Sequence, residues 1–275
     1  QTRKGNAACE QFDYLDASVP TMAKVMKSAG YTTGHFGKWH MGGGRDVIDA
    51  PQITEYGFDE YISTWESPNP DPVITDSAWI WSRTDQVKRW DRTAYFVDKT
   101  LDFLKRHKGE PCFVNLWPDD MHTPWVPSQK TMDSERTSWT TPPNFKEVLT
   151  EYDKQIGRLM EGLTKLGLEK NTIVIFTSDN GPAPSFQQMR TNSLLGVKCS
   201  LYEGGIRMPF AIHWPEKIKA GGINDSSIVC AVDLLPSLCA LTGAKLPLDM
   251  ELSGEDMSRA LLGEPQIRKK DLMWD

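Results

Sequence analysis

The sequence predicts an α/β fold: a mostly parallel central sheet sandwiched between helices. Three observations point there. Amphipathic helical stretches alternate with short strand candidates along most of the chain. Those strands are near-continuously apolar, as strands covered on both faces must be. And 275 residues suffice to bury most of their apolar surface in one large domain.

The elements follow in order. In "PTMAKVMKSAG", Met22, Val25, Met26 and Ala29 fall at i, i+3, i+4 and i+7, with Thr21 near the start and Gly30 at the end, which reads as a short helix. "YTTGHF" is the strand after it. "RTAYFVDKTLDFLKRH" places Val97, Leu101 and Leu104 on one face, and its basic last turn suits the helix dipole. "PCFVNLW" follows as a second strand. "KEVLTEYDKQIGRLMEGLTKLG" is the strongest helix, with Tyr152, Ile156, Leu159, Leu163 and Leu166 in one stripe stopped by Gly167. "TIVIFTS" is the third strand, "MPFAIHW" a fourth, and "AVDLLPSLCALTG" a further helix. The stretches 57–90 and 124–143 read as long, Pro-rich loops, which inside a compact domain are more often functional than idle.

Composition narrows the function. A net charge of −6 provides no field to gather nucleic acid or anionic lipid, so any anion must meet a local cluster of cations. No apolar stretch approaches the ~20 residues that span a bilayer. Five scattered cysteines without a C-x-x-C pair argue against a disulfide framework or a zinc knuckle, and Cys112 and Cys230 read as small buried hydrophobes. The opening "QTRKGNAACEQF" and the closing "RKKDLMWD" lead us to expect a piece of a longer protein.

In open α/β sheets, ligands bind beyond the carboxyl ends of the strands. After "YTTGHF" come Lys38 and His40, after "PCFVNLW" comes His122, and after "TIVIFTS" come Asp179 and Asn180. Further on, "GVKCSLYEGGIRMP" brings Lys198, Glu203 and Arg207. Each alone has a plain alternative, and "DNG" is first of all a turn signal. Together, expected at one sheet rim, they make coherent chemistry. Asp and Asn oxygens suit Ca²⁺ or Mg²⁺. The lysines and histidines suit a tetrahedral oxyanion, and histidines also move protons. A divalent cation beside such a cluster could cleave a sulfate or phosphate ester.

These stretches also resemble a known family. "GYTTGHFGKWHMGG" resembles the second signature of the sulfatases, within the alkaline-phosphatase-like superfamily, and "MHTPW", "SDNGP" and "LLGVKCSLYEGGIRMPFAIHWP" resemble further sulfatase blocks in the same order. The resemblance implies the sulfatase fold and a sulfuric ester hydrolase. Asp179 and Asn180 would be two ligands of one Ca²⁺, while Lys38 and His40 would hold the nucleophile's oxygens and the sulfate. His122 and Lys198 would bind the ester and assist the leaving alcohol. Glu203 and Arg207 would shape the pocket, and Trp125, beside His122, would touch or flank the substrate.

The family nucleophile is a formylglycine made from the first residue of a C/S-x-P-S/A-R motif, and none of the five cysteines opens one. The resemblance therefore implies that residues 1–275 are one incomplete catalytic domain, inactive alone, with the nucleophile-bearing first part and a small C-terminal subdomain outside it. By the same analogy the protein is periplasmic or extracellular and acts on a sulfated carbohydrate. Trp65, Trp79, Trp81 and Trp90, lying near Arg83 and Arg89 in the first long loop, would suit sugar rings or else plug the core. A phosphatase or phosphonate monoester hydrolase of the same superfamily, and a non-catalytic binder of sulfated glycans, are the alternatives.

Overall fold

The computed structural model describes residues 3–43, 47–75, 81–248 and 250–274. The chain forms two compact units, Gln1–Leu166 with Ala244–Met250, and Gly167–Gly243 with Glu251–Asp275.

The first unit holds α1 (Arg3–Ala8), α2 (Met22–Ser28), β1 (Thr32–Gly37), β2 (Glu60–Ser63), α3 (Arg92–Arg106), β3 (Cys112–Trp117), α4 (Gln129–Asp133) and α5 (Pro142–Leu166). Its sheet has the order β2-β1-β3 and is parallel throughout, with Gly37 level with Ser63 on one side and Trp117 on the other. Alternate residues of β1 face opposite ways. His35 meets Trp39, Phe58 and Trp117, in a layer that also packs Ala23 of α2. Phe36 meets Phe103 of α3. Helices thus cover both faces of β1, and α5 packs on α3.

Local signals explain most boundaries. The Thr21 side chain accepts from Lys24 N and starts α2, while Gly30, at φ +88°, follows its end. The α5 helix starts at Pro142 rather than at Lys146, because proline is well suited to a first turn. The strand β2 lies inside a stretch expected to be irregular; four residues pairing with β1 carry too little pattern to be seen locally.

The second unit holds β4 (Val174–Thr177), α6 (Glu203–Ile206), β5 (Phe210–His213), α7 (Leu234–Thr242) and α8 (Ser258–Leu261). Here β4 and β5 pair antiparallel, Val174 opposite His213. Among the described residues the strands therefore form two hydrogen-bonded sheets, three parallel strands and one antiparallel pair. The β4 strand was expected to be buried, yet Phe176 is 42% exposed and Phe210 of β5 is 41% exposed. A two-stranded sheet leaves an open edge on each strand. Asp233, at the start of α7, accepts from Cys230 N and Glu255 N and pairs with Arg268, while α7 packs on α8. The five cysteines are free, and Cys112 and Cys230, expected to be buried, are half-buried. Among the described residues no helix is long and apolar enough to cross a membrane.

Candidate functional site

The predicted residues fall into two groups, one on each unit. In the first unit, β1 and β3 are direct neighbours, so the loops at their carboxyl ends are neighbours too. Lys38 N donates to Trp117 O at 2.8 Å, which ties the residue after β1 to the end of β3. This approach is possible because Gly37 has no side chain: a Cβ there would lie 2.0 Å from Trp117 O. His40 sits at φ +52° with its N donating to Glu66 O at 2.9 Å, on the loop that ends β2. A left-handed conformation costs a non-glycine residue ~1 kcal/mol or more, and the carbonyl of Glu66 helps hold it. Lys38, His40 and His122 thus share the carboxyl rim of one parallel sheet. Glu66, just after β2, supplies the carbonyl that holds His40, a contribution that went unseen because β2 itself was read as loop.

His122 is exposed, and its Nδ1 lies 2.8 Å from Thr123 O. A carbonyl can only accept, so Nδ1 carries the hydrogen and Nε2 is the nitrogen that takes up or gives a proton. Beneath it the Asp119–His122 turn rests on buried charge. Arg89 Nη1 and Arg92 Nη1 donate to Asp119 Oδ2 at 2.5 and 2.7 Å, and all three side chains are buried. Asp120 Oδ2 accepts from Thr93 N and Thr93 Oγ1 at the start of α3. Burial raises the Asp119 carboxyl, but Arg89 and Arg92 outweigh it and hold Asp119 below the usual carboxylate range. Asp120 is pushed up, by burial first and by the charge of Asp119.

Two expectations are corrected here, and a third is decided between its alternatives. Arg89 is spoken for by Asp119 and does not reach a sugar. Trp125 is 0% exposed, with Nε1 donating to Met121 O and its ring against Phe145, so it supports the His122 turn and cannot touch substrate. Trp81 and Trp90 are half-buried and pack on the Val126, Met132 and Trp139 cluster, the packing role that the sequence had offered beside the sugar-binding one. Indoles next to basic residues in a sequence look alike whether they face a ligand or a core. Trp79 lies outside the described residues. A cavity of about 400 Å³ is lined by Arg89, Trp90 and Lys154 as well as by Asp91, Asp120, Glu147 and Glu151, and by none of Lys38, His40, His122 and Lys198.

In the second unit, Asp179 and Asn180 end β4 as predicted. Asp179 is exposed and its Oδ1 accepts from Asn180 N at 3.0 Å. Three segments then knit together through backbone bonds: Gly181 N to Gly205 O, Lys198 N to Pro182 O, and Gly204 N to Leu195 O. Lys198 is thereby held next to the Asp179–Asn180 turn. Glu203 and Arg207 pair with each other across α6 at 3.1 Å, both exposed. Asp179 and Asn180 supply hard oxygen donors that fit a calcium ion, two of the six to eight it takes. Among the described residues no group of three or more His, Cys, Asp or Glu side chains could hold a metal ion.

The close approach of these segments makes a sharp prediction. A Cβ on Gly181 would lie 2.1 Å from Gly204 O and 2.8 Å from Gly205 Cα, with backbone on every side. Gly181→Ala is expected to cost about 2–3 kcal/mol, a fall of about 5–10 °C in unfolding midpoint. Gly157→Ala, in α5 with nothing within 4 Å, is the control and should hold or raise the midpoint. Equal midpoints for the two variants in thermal unfolding would contradict the packing.

Comparison with known proteins adds to this geometry. A family model described as Sulfatase matches residues 2–244. The N-acetylgalactosamine-6-O-sulfatase of Bacteroides thetaiotaomicron is 26% identical over 321 residues, covering 91% of this chain and 61% of its own length. Arylsulfatase A of Bos taurus is 30% identical over 269 residues, covering 88% of this chain and 51% of its own. A solved structure from work on the metabolism of multiple glycosaminoglycans by Bacteroides thetaiotaomicron matches with a TM-score of 0.73 at 26% identity, covering 93% of this chain and 67% of that one. The chain spans about half to three-fifths of the length of these curated relatives.

Proposed function

This chain belongs to the sulfatase family, and from that membership we propose that the whole protein hydrolyses sulfate esters of carbohydrates to alcohol and sulfate, outside the cytoplasm. The observation that carries the reading is the rim of the parallel sheet. There a lysine and two histidines from adjacent strands gather at the position where an open α/β sheet binds ligands. The carbohydrate part rests on relatives such as the N-acetylgalactosamine-6-O-sulfatase. We read residues 1–275 as part of one catalytic domain.

A formylglycine hydrate would supply the attacking oxygen, and Asp179 and Asn180 would hold part of a calcium ion that offsets negative charge on the sulfate. The remaining work falls to this chain's own side chains. The Lys38 ammonium binds a sulfate oxygen and stabilises the negative charge that grows on it. His122, protonated on Nε2, gives that proton to the bridging oxygen as the alcohol departs. Lys198 assists the leaving alcohol by its positive charge. His40 accepts a proton in the step that frees sulfate; it then releases that proton to solvent and His122 takes one up, which restores both side chains.

The test compares nitrophenyl sulfate with nitrophenyl phosphate on the whole protein, with and without Lys198→Ala. Sulfate is expected to be the better substrate, and the variant to lose about 10²-fold or more in turnover. Faster phosphate hydrolysis would move the protein to a phosphatase or phosphonate hydrolase. Wild-type turnover by the variant would remove Lys198 from the scheme.

A further inference from the structure

We propose that Arg89 is a positioning residue that sets the height and direction of the His122 imidazole; the inference rests on the role given to His122 above. The turn 119–123 has nearly every carbonyl oxygen assigned. Arg89 Nη2 donates to Asp119 O at 2.6 Å and to His122 O at 3.1 Å, so one amino group bridges the two carbonyls that bracket the turn. His122 N closes the same turn on Asp119 O at 3.1 Å. Trp125 Nε1 holds Met121 O at 3.0 Å, and His122 Nδ1 holds Thr123 O at 2.8 Å. The backbone on either side of the imidazole is thereby clamped, and its tautomer is set by the next residue.

The anchor for this clamp is charged where an apolar one would serve stability equally well. Arg89 is 3% exposed and Asp119 6% exposed, and Arg92, which shares the Asp119 carboxylate, is fully buried. Replacing such buried ion pairs with packed apolar residues is often neutral or stabilising. What an apolar residue cannot do is present a rigid planar fork to one carboxylate and two carbonyls at once. Direction is therefore what the guanidinium provides. A general acid needs that direction, since it must meet the bridging oxygen within hydrogen-bond reach and in line. Arg89 touches neither substrate nor reacting atoms, so it acts through His122.

Arg89→Lys keeps the charge opposite Asp119 and removes the fork. On the whole protein with a sulfated sugar, kcat is expected to fall about 10- to 100-fold with KM within about twofold. The decisive readout is the cycle with His122→Ala. The double variant is expected to be no slower than His122→Ala alone, because a clamp has nothing left to aim. If Arg89→Lys does not fold, Trp125→Phe removes the bond to Met121 O from the other side of the turn, along with part of a buried ring, and should show the same non-additivity with a smaller loss. Losses that multiply in both cycles, or wild-type kcat for Arg89→Lys, would overturn the proposal while leaving the hydrolase intact. A fully active His122→Ala would overturn the role of His122 and, with it, this proposal.

Discussion

His122→Ala in the whole protein is expected to lower turnover of a sulfated sugar by about 10²- to 10⁴-fold, the range that a positioned general acid contributes. The loss should depend on the leaving group. A sugar alkoxide is a poor leaving group and needs a proton as the bond breaks; nitrophenolate spreads its charge over the ring and needs it less. The variant should therefore lose far more on the sugar sulfate than on nitrophenyl sulfate, and a solution of imidazole should restore part of the sugar activity. His122 is exposed, and surface substitutions seldom move stability by more than about 0.5–1 kcal/mol, so lost folding would not explain the fall. Steady-state kinetics on the two esters checks this. Equal losses on both would mean that His122 binds the sulfate group and does not protonate the alcohol.

The second large effect concerns acid stability and sits on β1. His35 is 0% exposed and ringed by Trp39, Phe58 and Trp117, and burial outweighs the backbone groups of Gly37 and Lys38 beside the ring. Burial pushes its pKa down to about 4. An unfolded histidine titrates near 6.5, so below that value the unfolded chain binds a proton that the folded one refuses. Stability from the neutral ring is full above about pH 6.5 and drains away as pH falls towards about 4, by about 3 kcal/mol in all. Asp120 works in the opposite sense: a carboxyl raised by burial takes up its proton in the folded state first, so acid stabilises it. The wild-type curve mixes the two, and only a difference isolates the histidine. Between about pH 7.5 and about pH 4.5, wild type is expected to lose about 2–3 kcal/mol relative to His35→Leu in denaturant unfolding. Parallel curves would mean that the ring is charged inside the fold.

The family and most regular elements were legible from the sequence, because each leaves a short-range mark. Period 3.6 marks α2, α3, α5 and α7, apolar runs mark β1, β3, β4 and β5, and Gly30, Gly167 and Gly243 mark ends. The polar residues at the strand ends were legible too, since a strand must stop somewhere and these stop on lysine, histidine, aspartate and asparagine. Partners were not. Four residues of β2 found their place only by pairing with β1, and β4 took β5 antiparallel, because pairing depends on what lies alongside a strand and not on the strand itself.

The same division runs through the site. Arg89 and Trp125 looked like surface that could meet a sugar, and their true partners lie 30 residues on at Asp119 and four residues back at Met121. The Asp119–Asp120 pair after β3, with Arg89 and Arg92 three apart at the entry to α3, was the one available hint of a buried charge assembly. The sequence by itself determined which chemical groups this protein carries and at which strand ends. Tertiary structure alone decided which cations face a ligand and which are consumed in holding a histidine still, because a side chain's exposure and its partner are set by contacts between distant parts of the chain.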